Sequence, residues 1–195
     1  MGCCASTSGE DDVLLSNETS AAVTCRAGLK GENVTVTEAA EGGSYAVKGS
    51  GTLLGSCCLD CDTGMWEVKV GKNPEGVRIG IKKHNAKTNP GKLFEHLDSD
   101  ADARSPAWFL DETELKEGDV VGIYWDQTDL PMLTFSVNGE PARFSVTRIR
   151  PAVDIYPAVS VREGSSCDII LDGTRFLFPP KSSKFKMIIC SSSLI

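Results

Sequence analysis

Leu133-Thr-Phe-Ser-Val137 alternates apolar and polar side chains, and Asn138-Gly139 follows it at once. That alternation has the period of two that belongs to a strand with one face buried. Asn-Gly between extended runs is a strong hairpin signal, because both positions tolerate positive φ. The pattern continues in both directions. Met65-Trp-Glu-Val-Lys-Val70 and Val77-Arg-Ile-Gly-Ile81 alternate, and Asp119-Val-Val-Gly-Ile-Tyr-Trp125 is a more continuous apolar run suited to a buried strand. Asp154-Ile-Tyr-Pro-Ala-Val-Ser-Val161 and Cys167-Asp-Ile-Ile-Leu171 read as two more strands. Ala22-Val-Thr-Cys25, Val34-Thr-Val-Thr37 and Tyr45-Ala-Val47 are weaker candidates, and Phe185-Lys-Met-Ile-Ile189 is placed to close an edge. No window of a dozen residues keeps helical spacing, and Glu112 to Glu117 makes one short turn at most. Many short strands with glycine-rich turns and no helices mean a sandwich or a barrel.

Composition agrees with a globular chain. Of 195 residues, 41% are hydrophobic and 24% charged, enough for one domain and a tail. No stretch approaches the roughly 18 apolar residues of a membrane span. The net charge of -7 and pI near 4.9 argue against nucleic acid, whose phosphates need a cationic face. They argue equally against simple electrostatic docking on anionic lipid.

Eight cysteines stand at positions 3, 4, 25, 57, 58, 61, 167 and 190. The first dozen residues have neither a basic start nor an apolar core, so they do not read as a secretory signal. The thiols are therefore expected to be reduced and cytosolic, and the sequons at Asn17 and Asn33 are expected to carry no glycan.

Residues 1–6 have the pattern Met-Gly-x-x-x-Ser, which suits acylation of the Gly2 amine once Met1 is removed. One myristoyl chain binds membranes only marginally, so stable anchoring takes a second signal. Residues 1–20 hold Glu10, Asp11, Asp12 and Glu18 and no Lys or Arg, which closes the basic-patch route. Palmitoylation of Cys3 and Cys4 is the route left. Residues 1–20 are read as a flexible acylated arm and residues 21–195 as one domain.

At these residues the sequence resembles the SPRY family. Met65-Trp-Glu-Val is similar to its Tyr-Trp-Glu-Val strand, with methionine where an aromatic is usual. Val77 to Ile81 resembles the next strand, and Gly118-Asp-Val-Val-Gly122 its Gly-Asp-x-Ile/Val-Gly segment. Leu133 to Gly139 resembles its Asn-Gly hairpin, and Ile155-Tyr-Pro-Ala-Val-Ser160 its Leu-Tyr-Pro-Ala-Val-Ser strand. The five matches keep the family's order over residues 21–173. The resemblance implies an all-β fold, a concanavalin-like sandwich of two packed antiparallel sheets. It also implies binding of protein segments through loops at one end. In some members an aromatic in the turn after Pro-Ala-Val-Ser grips an acidic-polar peptide. Here that turn is Arg162-Glu-Gly-Ser-Ser166, so that specificity is not carried over.

Catalysis finds little support. The two histidines, His84 and His96, sit in no nucleophile motif, and neither a Gly-x-Ser-x-Gly elbow nor a phosphate loop is present. Asp98-Ser-Asp-Ala-Asp102 lacks the glycine and glutamate of an EF-hand, with Ala103 and Phe109 in their places. Cys57-Cys58-Leu-Asp-Cys61 lacks the second ligand pair of a structural zinc site. No cofactor or metal is expected.

The partner-binding candidates lie in loops, where binding residues concentrate. Lys83, His84, Asn85 and Arg104 belong to the long segment 82–106. Trp108 follows it and has the best chance among the tryptophans of facing a ligand, while Trp66 and Trp125 suit the core. Asp126, Gln127 and Asp129 form a second loop, and Arg162 and Glu163 a third. The functional expectation is a monomeric, non-catalytic module at the cytosolic face of a membrane, lipid-anchored and binding a protein or peptide segment. The competing readings are a lectin-like carbohydrate binder and a calcium- or redox-responsive sensor.

Overall fold

The computed structural model describes residues 23–85, 106–111, 114–147, 149 and 154–190. The expected N-terminal arm, including Gly2, Cys3 and Cys4, lies outside these residues, as do His96, Asp98 to Asp102 and Arg104. Among the described residues run fourteen strands. They are β1 (Val23–Thr24), β2 (Ala27–Lys30), β3 (Val34–Glu38), β4 (Ser44–Gly49), β5 (Gly51–Gly55), β6 (Thr63–Val70) and β7 (Val77–Lys83). Then follow β8 (Ala107–Phe109), β9 (Val120–Asp126), β10 (Met132–Val137), β11 (Glu140–Val146), β12 (Ile155–Val161), β13 (Ser166–Ile170) and β14 (Ile189–Cys190).

The strands form an antiparallel seven-stranded sheet, β11-β10-β9-β6-β13-β4-β3, and an antiparallel five-stranded sheet, β2-β5-β12-β7-β8. Between them lies one apolar core. Val47, Trp66, Val68, Ile123, Leu133 and Ile169 enter it from the larger sheet, and Leu53, Ile79, Ile81 and Val159 from the smaller. Each such side chain contributes about 1.5–3 kcal/mol by leaving water. A smaller cluster of Leu54, Tyr156 and Ala158, with Phe109 against it, lies on the other face of the five-stranded sheet.

The alternating sequence runs fall on strands as expected. Asn138 and Gly139 both take positive φ, 52° and 80°, and turn β10 into β11. Asn138 also accepts the backbone N–H of Val120 at 2.9 Å, tying the hairpin to β9. Strands β2, β5 and β8 are not among the runs read from the sequence, and β11 is implied there only as the second arm of the Asn138-Gly139 hairpin. β2 and β8 are short, β5 is bracketed by glycines, and β11 alternates without bulky residues on both flanks.

One expectation is refined and one corrected. The C-terminal run meets an edge of the larger sheet only briefly: past the end of β13, Met65 N–H donates to the Lys186 carbonyl at 2.8 Å, and Met187 bridges Met65 in parallel. The residues before it form a strap over the outer face of that sheet, where the Glu67 carboxylate accepts the N–H groups of Leu177 and Phe178. β14 then pairs with β1 as a separate two-stranded piece. This covering strap explains why Met65 and Glu67, on the face opposite the core side chains Trp66 and Val68, are nonetheless fully buried. The thiols, moreover, are not all reduced. Cys57 is disulfide-bonded, whereas Cys25, Cys58, Cys61 and Cys167 are free. Tertiary placement decides which sulfurs meet, and spacing along the chain does not reveal it.

Candidate functional site

Most of the loop candidates gather at one end of the sandwich. β7 ends there and β12 begins, with Lys83 opposite Ile155. Lys83 N–H donates to the Pro106 carbonyl at 2.9 Å and His84 N–H to the Asp154 carbonyl at 2.8 Å. The Asn85 amide donates to the Asp154 carboxylate at 3.2 Å. The loop before β6 joins this end to the larger sheet. Leu59 N–H donates to the Ile155 carbonyl at 2.7 Å, while the Cys61 carbonyl accepts Gln127 Nε2 at 2.9 Å and Trp125 Nε1 at 3.2 Å. Gln127 N–H reaches the Asp62 carbonyl at 2.8 Å. Gln127 is thus a tie between loops. Asp126 receives Lys184 Nζ at 2.6 Å and the Thr128 hydroxyl at 2.7 Å. Burial pushes its carboxyl up, but these partners hold it below the usual carboxylate range.

What this end presents to solvent is different from what it uses to hold itself. Asp60, Asp62, Asp129 and Leu130 are exposed, and Leu130 is 77% exposed. His84 is buried, with Nδ1 lacking a hydrogen-bond partner among the described residues. Burial first, then the Lys82 charge, lowers its pKa, and Asp154 opposes them. Trp108 is half-buried against the main core, opposite Ile81 in the β7–β8 pair.

Arg162 and Glu163 do not join this group. Arg162 N–H donates to the Gly76 carbonyl at 2.9 Å, at the Val77 end of β7. Asn73 Nδ2 reaches the Gly164 carbonyl at 2.8 Å across the same turn. Both charged residues are exposed, but at the opposite end of the sandwich from Asn85 and Gln127.

A family model described as the SPRY domain matches residues 63–174, more than half of the chain. The chain belongs to the SPRY domain family. The match begins at β6 and takes in all five segments that carry the resemblance. Among solved structures, the NEUZ (NHR) domain of Neuralized from Drosophila melanogaster is similar at TM-score 0.53 and 13% identity, over 85% of this chain and 95% of that one. A human SPRY domain is similar at TM-score 0.51 and 16% identity, over 71% and 95%. The PSpry domain of TRIM65 gives 0.50 and 12%, over 75% and 92%. At these identities the likeness concerns the fold. No curated protein matches the chain.

Two further features of this SPRY domain bear on its chemistry. Among the described residues, no three His, Cys, Asp or Glu side chains group to hold a metal ion. Burial and then the Asp60 charge raise the Cys58 thiol, and burial chiefly raises Cys61 to about 11, so neither is primed as a thiolate.

Sequence reasoning missed the strap. Residues 177–185, together with β10 and β11, line an open groove of about 650 Å³ on the outer face of the larger sheet. The signal was present in Phe176-Leu-Phe-Pro-Pro180, an apolar run and a double proline just past the end of the family resemblance.

Proposed function

We propose that this SPRY domain is a non-catalytic protein-interaction module that binds a partner segment through its Asn85–Gln127 end. In this reading, acyl chains on Gly2, Cys3 and Cys4 hold it at the cytosolic face of a membrane. The observation that carries the binding surface is the Gln127–Cys61 tie. With the Gln127 N–H bond to the Asp62 carbonyl, this side-chain bond fixes two loops while Asp129 and Leu130 stand exposed beside them. A pre-set frame lowers the ordering cost of binding, and an exposed leucine among carboxylates offers both an apolar anchor and charge. Lys83, Asn85 and Asp126 complete that surface. Arg162 and Glu163 would serve a separate contact.

The test joins cell fractionation to proximity cross-linking. With a clickable myristate analogue, the wild type should label and pellet with membranes, while Gly2→Ala and Cys3→Ser/Cys4→Ser should become soluble. Cross-linked partners should be lost with Asp129→Lys and Leu130→Ser and kept with Arg162→Ala. An unlabelled, soluble wild type would defeat the anchor. Partners retained by both loop variants would defeat the binding surface.

A further inference from the structure

The groove on the outer face is built, not incidental. At one end Phe185 packs edge-on to Tyr124, with ring centroids 5.1 Å apart. At the other, the Glu67 carboxylate accepts the N–H groups of Leu177 and Phe178 at 2.6 and 2.8 Å. Between these fixings the strap leaves apolar side chains open: Leu177 is 51% exposed and Phe178 36%. Large apolar groups exposed together along a groove mark a contact surface. Its rim is cationic, for Arg143 and Lys181 both line it and both are exposed. Lys181 stands 3.8 Å from Glu140, but those side chains are 83% and 82% exposed, and water screens such a pair.

The geometry points to the chain's own Glu10-Asp-Asp-Val-Leu-Leu15 as the occupant of this groove. Three carboxylates are followed at once by three aliphatic side chains. That order supplies charge for Arg143 and Lys181 and apolar bulk for Phe178, Pro179 and Phe185. The arm can reach. Val23 pairs with Cys190 across β1 and β14. Phe185 precedes Cys190 by five residues, so it lies within about 17 Å of chain plus about 5 Å of strand spacing from Val23. Leu15 precedes Val23 by eight residues, and eight extended residues span up to about 26 Å. Tethering supplies a local concentration on the order of millimolar, so a weak contact is enough to keep the groove filled. The docked arm then competes with any acidic-apolar partner segment for the same surface.

The test uses the full chain with Leu14→photo-leucine, irradiated as an equal mixture of 14N- and 15N-labelled copies. Peptide mass spectrometry should map single-isotope cross-links to residues 141–145 or 177–185. Reversing the rim with Arg143→Glu/Lys181→Glu should lower their yield about fivefold, and adding Glu10→Lys, Asp11→Lys and Asp12→Lys should restore it. Cross-links to other surfaces, mixed-isotope products from a second copy, or a yield indifferent to rim charge would each overturn the assignment. The first map needs no groove substitution, so it stands even if the reversed rim perturbs folding.

Discussion

Glu67 and Phe178 are joined through a buried carboxylate: the backbone N–H of Phe178 donates to Glu67 Oε1 at 2.8 Å, and that of Leu177 to Oε2 at 2.6 Å. Glu67 sits in β6 with no exposed surface, and the strap is what it holds. Glu67→Ala should cost about 1–3 kcal/mol, because two amides lose their acceptor. Faster amide exchange at Leu177 and Phe178 would check that the loss is local. Burial pushes this carboxyl above its ordinary 4.5, and the two N–H groups oppose the rise. Above 4.5, up to the raised native value, the folded chain therefore holds the proton more readily than the unfolded chain. Stability from this group falls as pH rises through that window. Urea titrations should show the wild type gaining on Glu67→Gln as pH drops toward 4.5.

Gly80 lies where β7 meets the edge strand β8, paired with Phe109. A Cβ there would collide with the Trp108 carbonyl oxygen and come within 2.6 Å of the Phe109 Cα. Both obstacles are backbone and cannot swing aside. Gly80→Ala should therefore destabilise the chain by about 1–3 kcal/mol and loosen β8. A red shift of Trp108 emission ahead of global unfolding would report that loosening. An unchanged melting curve and spectrum would show that the edge yields without strain.

The inward faces of the strands were legible because alternation reports burial on one side. Trp66 and Val68, and Leu133 and Phe135, all turned up in the core. The outer faces were not, since Met65 and Glu67 carry nothing in the sequence that tells of a strap laid over them from 110 residues downstream. Lys83, His84, Asn85 and Gln127 were legible as loop residues. That His84 would be buried and Gln127 would tie two loops depended on contacts between distant segments. Arg162 looked equivalent to them in sequence, but strand direction in β12 sends it to the other end.

Cys61 gives a direct check on the redox-sensor reading. Burial is the largest cause of its rise from 9.0 to about 11, with the neighbouring carboxylates of Asp60 and Asp62 adding to it. Two units lower the thiolate fraction near neutral pH about a hundredfold, and the greater nucleophilicity of a more basic thiolate recovers about half of that on a logarithmic scale. Iodoacetamide at pH 7.5 should therefore label Cys61 roughly tenfold more slowly than a free cysteine peptide. The rate should keep climbing past pH 9. Fast labelling at neutral pH would revive a redox role.

His84 should act in the opposite sense to Glu67 on acidification. Burial first, and then the Lys82 charge, hold its pKa below 6.5, with Asp154 partly compensating. Below pH 6.5 the unfolded imidazole takes a proton that the folded one resists, so stability falls as pH drops from there to the lowered native value. The Glu67 window opens upward from pH 4.5 and the His84 window downward from 6.5, so both act on the acid side and wild-type titrations alone do not part them. Single variants can. His84→Gln should remove an acid-side loss and leave the chain relatively more stable at pH 5 than at pH 7.5. Glu67→Gln should remove an acid-side gain and do the reverse. The double variant should be flatter with pH than either, because Glu67 lies in β6 of the larger sheet and His84 just past β7 of the smaller one. A His84→Gln profile parallel to wild type from pH 7.5 to 5 would mean that the folded imidazole already takes the proton near 6.5, against its burial.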